Sequence, residues 1–162
     1  MASGNTLIAW NALCSEPPIS NAALIGVRNQ HGILQFDDTT NESVRFSAVL
    51  PQHYAGGGIT AYLHWAHVAT TGNVDWDVSF ERIGDSQQDI DGDGFASAQS
   101  ADNNTVPGTT GFVDITSIAF TDGAQVDSIA VGESFRINVT RDAANDTAVG
   151  DAQLLKVELR ET

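Results

Sequence analysis

Apolar and polar residues alternate with a period of two through much of this chain, most clearly between residues 58 and 82. Successive side chains of a β-strand point to opposite faces, so this alternation predicts strands with one buried face and one solvent-facing face. Between the two runs, Gly72 and Asn73 permit a tight reversal, which predicts a β-hairpin over residues 58–82. The apolar sets are Ile59, Ala61, Leu63 and Trp65, then Val74, Trp76, Val78 and Phe80.

The same alternation predicts further strands along the chain, whereas a helical period is almost absent. A series of short strands separated by turn residues is typical of sandwiches, jelly rolls and barrels. We therefore predict an all-β fold, an antiparallel two-sheet sandwich of the jelly-roll type with eight to ten strands. The additional segments are residues 43–50, 135–139 and 155–159, with weaker patterns at 22–27, 32–36, 111–120 and 125–131.

Two segments fall outside the strand pattern. Residues 1–21, with Pro17 and Pro18, predict an N-terminal arm or an added edge strand ahead of a sandwich domain over residues 22–162. Residues 84–108 are rich in Asp, Gly, Ser and Asn and predict one long acidic loop. A loop of this length inside a compact domain usually carries a function or packs over a face.

The acidic composition narrows the choice of partners. The chain has 21 acidic and seven basic residues, for a formal net charge of −14, which disfavours nucleic acid and anionic membranes. No apolar run is long enough for a membrane helix, and the N-terminus lacks the pattern of a signal peptide, so we expect synthesis in a cytoplasm. Cys14 is the only cysteine, which excludes an internal disulfide and predicts a small buried apolar residue.

One short motif has the chemistry of a cation site. Asp89, Asp91 and Asp93 alternate along the chain and are interleaved with Gly92 and Gly94, as in the first half of an EF-hand-type calcium loop. The twelfth position is Ser100, where such a loop places glutamate, and no helices are predicted around it. The three aspartates are therefore candidate calcium ligands, and an ordinary acidic surface loop is the alternative.

Signatures of catalysis are absent from the sequence. It contains no nucleophile elbow, zinc-binding His–Glu motif or phosphate-binding glycine loop. His64 and His67 lie three apart on a predicted strand, on opposite faces, so packing is expected rather than a shared metal. Trp65 and Trp76 are predicted in the core. We predict no catalytic residues, no enzyme activity and no cofactor apart from the calcium hypothesis.

Two further aromatic residues, Tyr54 and Tyr62, are expected to point outward. Exposed aromatic rings can stack on sugar rings or fill a subunit interface. We favour the subunit interface for these two residues, and sugar stacking is the alternative.

Several runs of the chain resemble small virion proteins of tailed phages. They cover much of residues 32–160, and the most distinctive are Leu34-Gln35-Phe36-Asp37-Asp38, Tyr54-Ala55-Gly56-Gly57-Gly58, Leu63-His64-Trp65-Ala66 and Gly72-Asn73-Val74-Asp75-Trp76-Asp77. The resemblance implies a jelly-roll virion component, made in the host cytoplasm, that acts as a capsid decoration (cement) protein. Its implied partners are the major capsid protein or other virion proteins, and a homo-oligomer, with a trimer favoured over a dimer. The alternative function is a tail-fibre or adhesion module that binds carbohydrate, with or without calcium.

Overall fold

A computed structural model describes residues 4–162, which form ten strands and two 3-10 turns. Neither helical segment in this part of the chain is long enough to cross a bilayer. The turns span Ala12–Cys14 and Ala124–Val126. The strands are β1 (Thr6–Asn11), β2 (Leu24–Arg28), β3 (His31–Phe36), β4 (Glu42–Val49), β5 (Ile59–His67), β6 (Asn73–Ile83), β7 (Gln99–Thr105), β8 (Val113–Phe120), β9 (Ser134–Arg141) and β10 (Ala152–Glu161).

The strands form two antiparallel sheets. The six-stranded sheet has the order β2-β3-β10-β5-β8, and β1 also pairs with β10, along the half of that strand that β3 leaves open. The four-stranded sheet has the order β4-β9-β6-β7. This architecture confirms the predicted all-β, antiparallel two-sheet sandwich.

The core lies between the two inner faces and is rich in aromatic rings. Trp65 of β5 and Trp76 of β6 meet edge to face with their ring centroids 5.9 Å apart, and Phe36 lies 5.1 Å from Trp76. All three are fully buried, as predicted for the two tryptophans. Removing a large apolar side chain of this kind from water stabilises a fold by about 1.5–3 kcal/mol, so these contacts hold the sheets together.

The predicted hairpin over residues 58–82 is wrong. β5 pairs with β8 and β10 in one sheet, whereas β6 pairs with β7 and β9 in the other. The segment between them therefore crosses from sheet to sheet, and the two apolar sets face each other across the core. Alternation fixes which side of a strand is buried, but it does not say which strand lies beside it.

Two other segments differ from the sequence prediction. Residues 125–131 do not form a strand, because Asp127 and Ser128 both have positive φ angles, 54° and 56°, after the turn at Ala124–Val126. The predicted loop over 84–108 contains the strand β7. This strand lies at the edge of its sheet, and Ala101 is its only apolar residue, so it shows no apolar alternation.

At the N-terminal end, β1 supplies part of the segment predicted to be an arm or edge strand, and residues 1–3 lie outside the described part. Cys14 ends the first 3-10 turn and is exposed, so its predicted burial is wrong. The turn places its side chain outside the core, where its sulfur lies 3.6 Å from Oδ1 of Asn11.

Candidate functional site

A groove crosses the outer face of the six-stranded sheet. Gln153 of β10 pairs with Ala66 of β5, and Ala66 pairs with Val113 of β8. Directly paired residues share a face, and these three lie opposite Trp65 and the core. The groove has a volume of about 370 Å³, within the range of small-molecule sites. Its lining consists of Arg28, Asn29, His31, Ile33, Ala66, Gly111, Val113, Gln153 and Leu155.

Arg28 closes one side of this groove and is held by three hydrogen bonds. Its Nη1 donates to Oε1 of Gln153 at 2.6 Å and to the carbonyl oxygen of His67 at 3.3 Å. Its Nη2 donates to Oγ1 of Thr110 at 3.0 Å. The side chain of Arg28 therefore extends from the end of edge strand β2 across β3 toward the centre of the sheet. The three hydrogen bonds fix the orientation of its guanidinium group.

Gly111 allows the guanidinium to lie so close to the backbone. Its φ angle is +80°, which side-chain-bearing residues rarely adopt, and a Cβ there would lie 2.9 Å from Nη2 of Arg28. No sequence motif marks this glycine, because only the approach of an arginine from a distant strand gives it a role.

The floor of the groove is apolar, and a β-bulge shapes it. The register of β10 against β5 shifts between Leu154 and Lys156, so Leu155 is the additional residue. Bulges re-aim side chains, and here Leu155 lines the groove while Leu154 stays in the core. Ile33, Ala66 and Val113 complete this apolar floor beneath the polar groups of Arg28 and Gln153.

The two tyrosines do not form an exposed aromatic platform. Tyr62 lies on the same outer face, but the guanidinium of Arg160 covers its ring at 4.2 Å from the centroid. The prediction that Tyr54 points outward is wrong: it is buried, and its hydroxyl donates to Asp122 at 2.7 Å and accepts from the amide of Gly58. Burial and the bond to Asp122 raise the pKa of Tyr54 above its usual value.

The outer face of the four-stranded sheet is partly covered by the loop between β6 and β7. Phe95 lies between Arg45 and Arg136, whose guanidinium carbons are 5.4 and 5.5 Å from the ring centroid. The amide of Ala96 donates to the carbonyl of Phe80 at 2.8 Å, which fixes the end of the loop against β6. The loop therefore covers the part of this face around Phe95.

The candidate calcium ligands Asp89, Asp91 and Asp93 are all exposed. Oδ1 of Asp89 accepts from the amide of Asp91 at 3.0 Å, and its carbonyl accepts from the amides of Gly92 and Asp93. In the part of the chain that the structure describes, no three His, Cys, Asp or Glu residues are grouped so that they could hold a metal ion. Calcium binding by this loop stays a prediction.

The two histidines of β5 point to opposite faces. His67 is buried, and its Nδ1 accepts from the amide of Ala69 at 2.9 Å. Burial and the charge of Arg141 lower the pKa of His67 to about 4. His64 is half-buried on the outer face, where burial also lowers its pKa.

No family model matches the chain, and no curated protein matches it in sequence. Solved structures do match it. A family 35 carbohydrate-binding module from Clostridium thermocellum aligns with a TM-score of 0.53 and 10% identity, over 96% of this chain and 98% of that one. The family 22 xylan-binding domain from Paenibacillus barcinonensis gives 0.52 and 12%, over 99% and 96%.

A family 35 carbohydrate-binding module from an environmental isolate aligns with a TM-score of 0.50 and 11% identity, over 86% of this chain and 83% of that one. Identities this low show a shared fold and nothing finer. The likeness extends over nearly the whole length of the compared domains, so the chain has the jelly-roll β-sandwich fold of these carbohydrate-binding modules.

Proposed function

We propose that this domain is a non-catalytic carbohydrate-binding module and that the groove around Arg28 and Gln153 is its binding site. The observation that carries the proposal is the groove itself, an apolar floor beneath hydrogen-bonding groups held in fixed orientations. The solved structures that share the fold support it, since one is a xylan-binding domain and another is a carbohydrate-binding module.

The composition of the groove suits a saccharide. A sugar ring presents C–H groups on its faces and hydroxyl groups around its edge. Ile33, Ala66 and Val113 offer apolar contact for a ring face, and the guanidinium and amide groups beside them offer hydrogen bonds to the edge. Because the polar groups are already oriented by contacts within the protein, little side-chain freedom is lost when a ligand binds.

A glycan-binding screen of the purified domain tests the proposal, followed by titration calorimetry with the best ligand. Ala66→Trp places a large ring on the floor of the groove and is expected to weaken binding at least about tenfold. Ala119→Trp is the control, because Ala119 of β8 lies on the same outer face of the sheet but outside the groove; thermal melting checks that both variants fold.

Two results would contradict the proposal. If no glycan in a broad panel binds, the domain is not a carbohydrate-binding module. If Ala66→Trp and Ala119→Trp bind as well as the unchanged protein, the site lies elsewhere on the surface.

The predicted virion role rests on sequence resemblance alone. Assembly onto a capsid as a decoration protein, the major capsid protein as partner, and a homo-oligomer all stay predictions. Mixing the purified protein with undecorated phage heads tests them, and failure to bind at any salt concentration would count against the role. A carbohydrate-binding module within a tail fibre or adhesin agrees with the proposed function.

A further inference from the structure

Acidic residues are distributed unevenly along this chain. Of its 21 aspartates and glutamates, only Glu16 precedes Asp37. β2 and β3, together with the turn between them, therefore carry no carboxylate, and these segments supply Arg28, Asn29 and His31 to the groove. The remaining lining residues also lack a carboxylate. The groove is thus free of negative side chains on a protein of net charge −14.

Arg28 differs from most other arginines in its partners. Within residues 4–162, four arginines have a carboxylate oxygen within 4.0 Å, namely Arg82, Arg136, Arg141 and Arg160. Arg28 has none in that part of the chain, and its acceptors are an amide, a hydroxyl and a main-chain carbonyl. Its positive charge is therefore oriented by neutral groups and left uncompensated at the groove.

The hydrogen-bonding groups that Arg28 and Gln153 leave free are donors, whereas Asn29 and His31, which also line the groove, can accept as well. Nε of Arg28 makes no hydrogen bond to the described residues and lies beside Nη2 on the guanidinium edge that can bind a carboxylate through two parallel bonds. Oε1 of Gln153 is occupied by Arg28, which leaves its amide NH₂ as the group without a partner in the described chain. Gln153 is only 5% exposed and lines the groove.

A neutral sugar hydroxyl both donates and accepts, whereas a carboxylate only accepts. The free groups of Arg28 and Gln153 only donate, so they match a carboxylate better than a neutral sugar hydroxyl.

We propose that the groove recognises an acidic saccharide, with the carboxylate of a hexuronic acid bound by Arg28 and Gln153. This rests on the proposed carbohydrate-binding function and specifies its ligand class. An acidic ligand is repelled by most of this protein's surface, which favours its binding at a groove whose lining carries no carboxylate.

The test compares an oligogalacturonate with its fully methyl-esterified form, by calorimetry on the full chain. Esterification keeps the sugar skeleton, removes the negative charge and adds one methyl group to each carboxyl. A charge-assisted contact predicts that the acid binds roughly tenfold or more tightly than the ester, and that this preference shrinks as salt is added. Oligomannuronate and oligoglucuronate, each with its ester, are tested in the same way, because the geometry fixes the charged group rather than the ring stereochemistry. Neutral xylan and mannan oligosaccharides complete the panel.

Two substitutions test whether the preference for the acid over the ester arises at Arg28. Arg28→Gln removes the charge and is expected to abolish the preference for the acid over the ester. Arg45→Gln is the control, because Arg45 also lacks a carboxylate within 4.0 Å among residues 4–162 but lies on the other sheet. Thermal melting checks that both variants fold, and the comparison of acid with ester in the unchanged protein needs no variant.

The outcomes separate the two proposals. Equal binding of acid and ester, or binding of neutral glycans alone, overturns the acidic ligand and leaves the carbohydrate-binding function standing. A preference for the acid that Arg28→Gln leaves intact also overturns it, because the anion then binds elsewhere. Absence of binding to every saccharide overturns both proposals.

Discussion

Nη1 of Arg28 lies 2.6 Å from Oε1 of Gln153, and this contact joins edge strand β2 to β10 across the intervening β3. The two residues are 125 positions apart in the sequence. The contact has two effects at once: it fixes the guanidinium over the groove, and it sets which end of the glutamine amide remains free. Substitutions at either residue should therefore change recognition more than stability.

Gln153→Glu is expected to weaken binding of an acidic saccharide. The new carboxylate has nearly the same shape as the amide, so it can accept from Arg28, but it compensates the charge of Arg28 and removes the NH₂ donor. We expect affinity for oligogalacturonate to fall at least about tenfold, with a melting temperature equal to or above that of the unchanged protein. Calorimetry and thermal melting measure the two effects.

Gln87→Glu is the matched control for this change. Gln87 is exposed, and its Oε1 accepts from Nη2 of Arg82 at 2.7 Å, so the substitution adds the same charge beside an arginine away from the groove. Binding should remain unchanged. An equal loss of affinity in both variants would mean that net charge, rather than the groove, governs recognition.

Gly111→Ala is expected to damage both stability and the position of Arg28. A non-glycine residue at a φ of +80° costs roughly 1–2 kcal/mol, and the new methyl group would contact Nη2. Urea denaturation should show this loss of stability, and binding in the groove should weaken with it. Gly108→Ala is the control, because its Cβ would meet no atom within 4 Å and its φ is not positive. If Gly111→Ala and Gly108→Ala are equally stable and both bind as the unchanged protein does, the close approach of Arg28 to Gly111 has no importance for stability or binding.

The sequence predicted the strands well where one face of each is buried. The alternation around Trp65 and Trp76 identified β5 and β6 and placed both rings in the core, because period-two burial is a local property. It could not identify the partners of each strand, since a hairpin and a crossing between sheets require the same pattern. β7 was missed for the opposite reason: the inner positions of this edge strand are only half-buried, so it needs few apolar residues.

The candidate site could not be predicted from the sequence. Arg28, Gly111 and Gln153 belong to no motif, and only the pairing of β2, β3 and β10 brings them together. The one available signal was the absence of acidic residues between Glu16 and Asp37, which marks the segment that lines the groove. The aspartate motif at 89–93, which is more distinctive in the sequence, lies on the loop beside the other sheet.

Thr116→Val is expected to destabilise the core without changing its shape. Oγ1 of Thr116 accepts from the indole Nε1 of Trp65 at 2.9 Å and donates to Oδ1 of Asn104 at 3.1 Å. Valine fills the same volume but leaves the buried indole N–H without a partner, at a cost of about 1–3 kcal/mol. Urea denaturation measures the change. Thr105→Val, at an exposed position of β7, should be close to neutral, and equal effects in the two variants would contradict the role of this hydrogen bond.

His67 is expected to make the fold less stable in acid. Burial and the neighbouring charge of Arg141 lower its pKa to about 4, whereas a histidine in the unfolded chain has a pKa of 6.5. Between these values the unfolded chain binds more protons than the folded one, so the contribution of His67 is complete above pH 6.5 and is lost as the pH falls toward 4. Arg28 acts in the same direction as Arg141, and Asp38 opposes both.

His67→Asn removes this titration while keeping an acceptor close to the position of Nδ1, which receives the amide of Ala69. Measured by urea denaturation from about pH 7 to about pH 4, the stability of this variant should fall less steeply than that of the unchanged protein. His53→Asn is the control, because His53 is exposed and its substitution should leave the slope as it was. Protonating a histidine that is buried in the uncharged form lowers the free energy of unfolding. If the free energy of unfolding falls equally steeply with pH in His67→Asn and in the unchanged protein, the acid sensitivity arises from other groups.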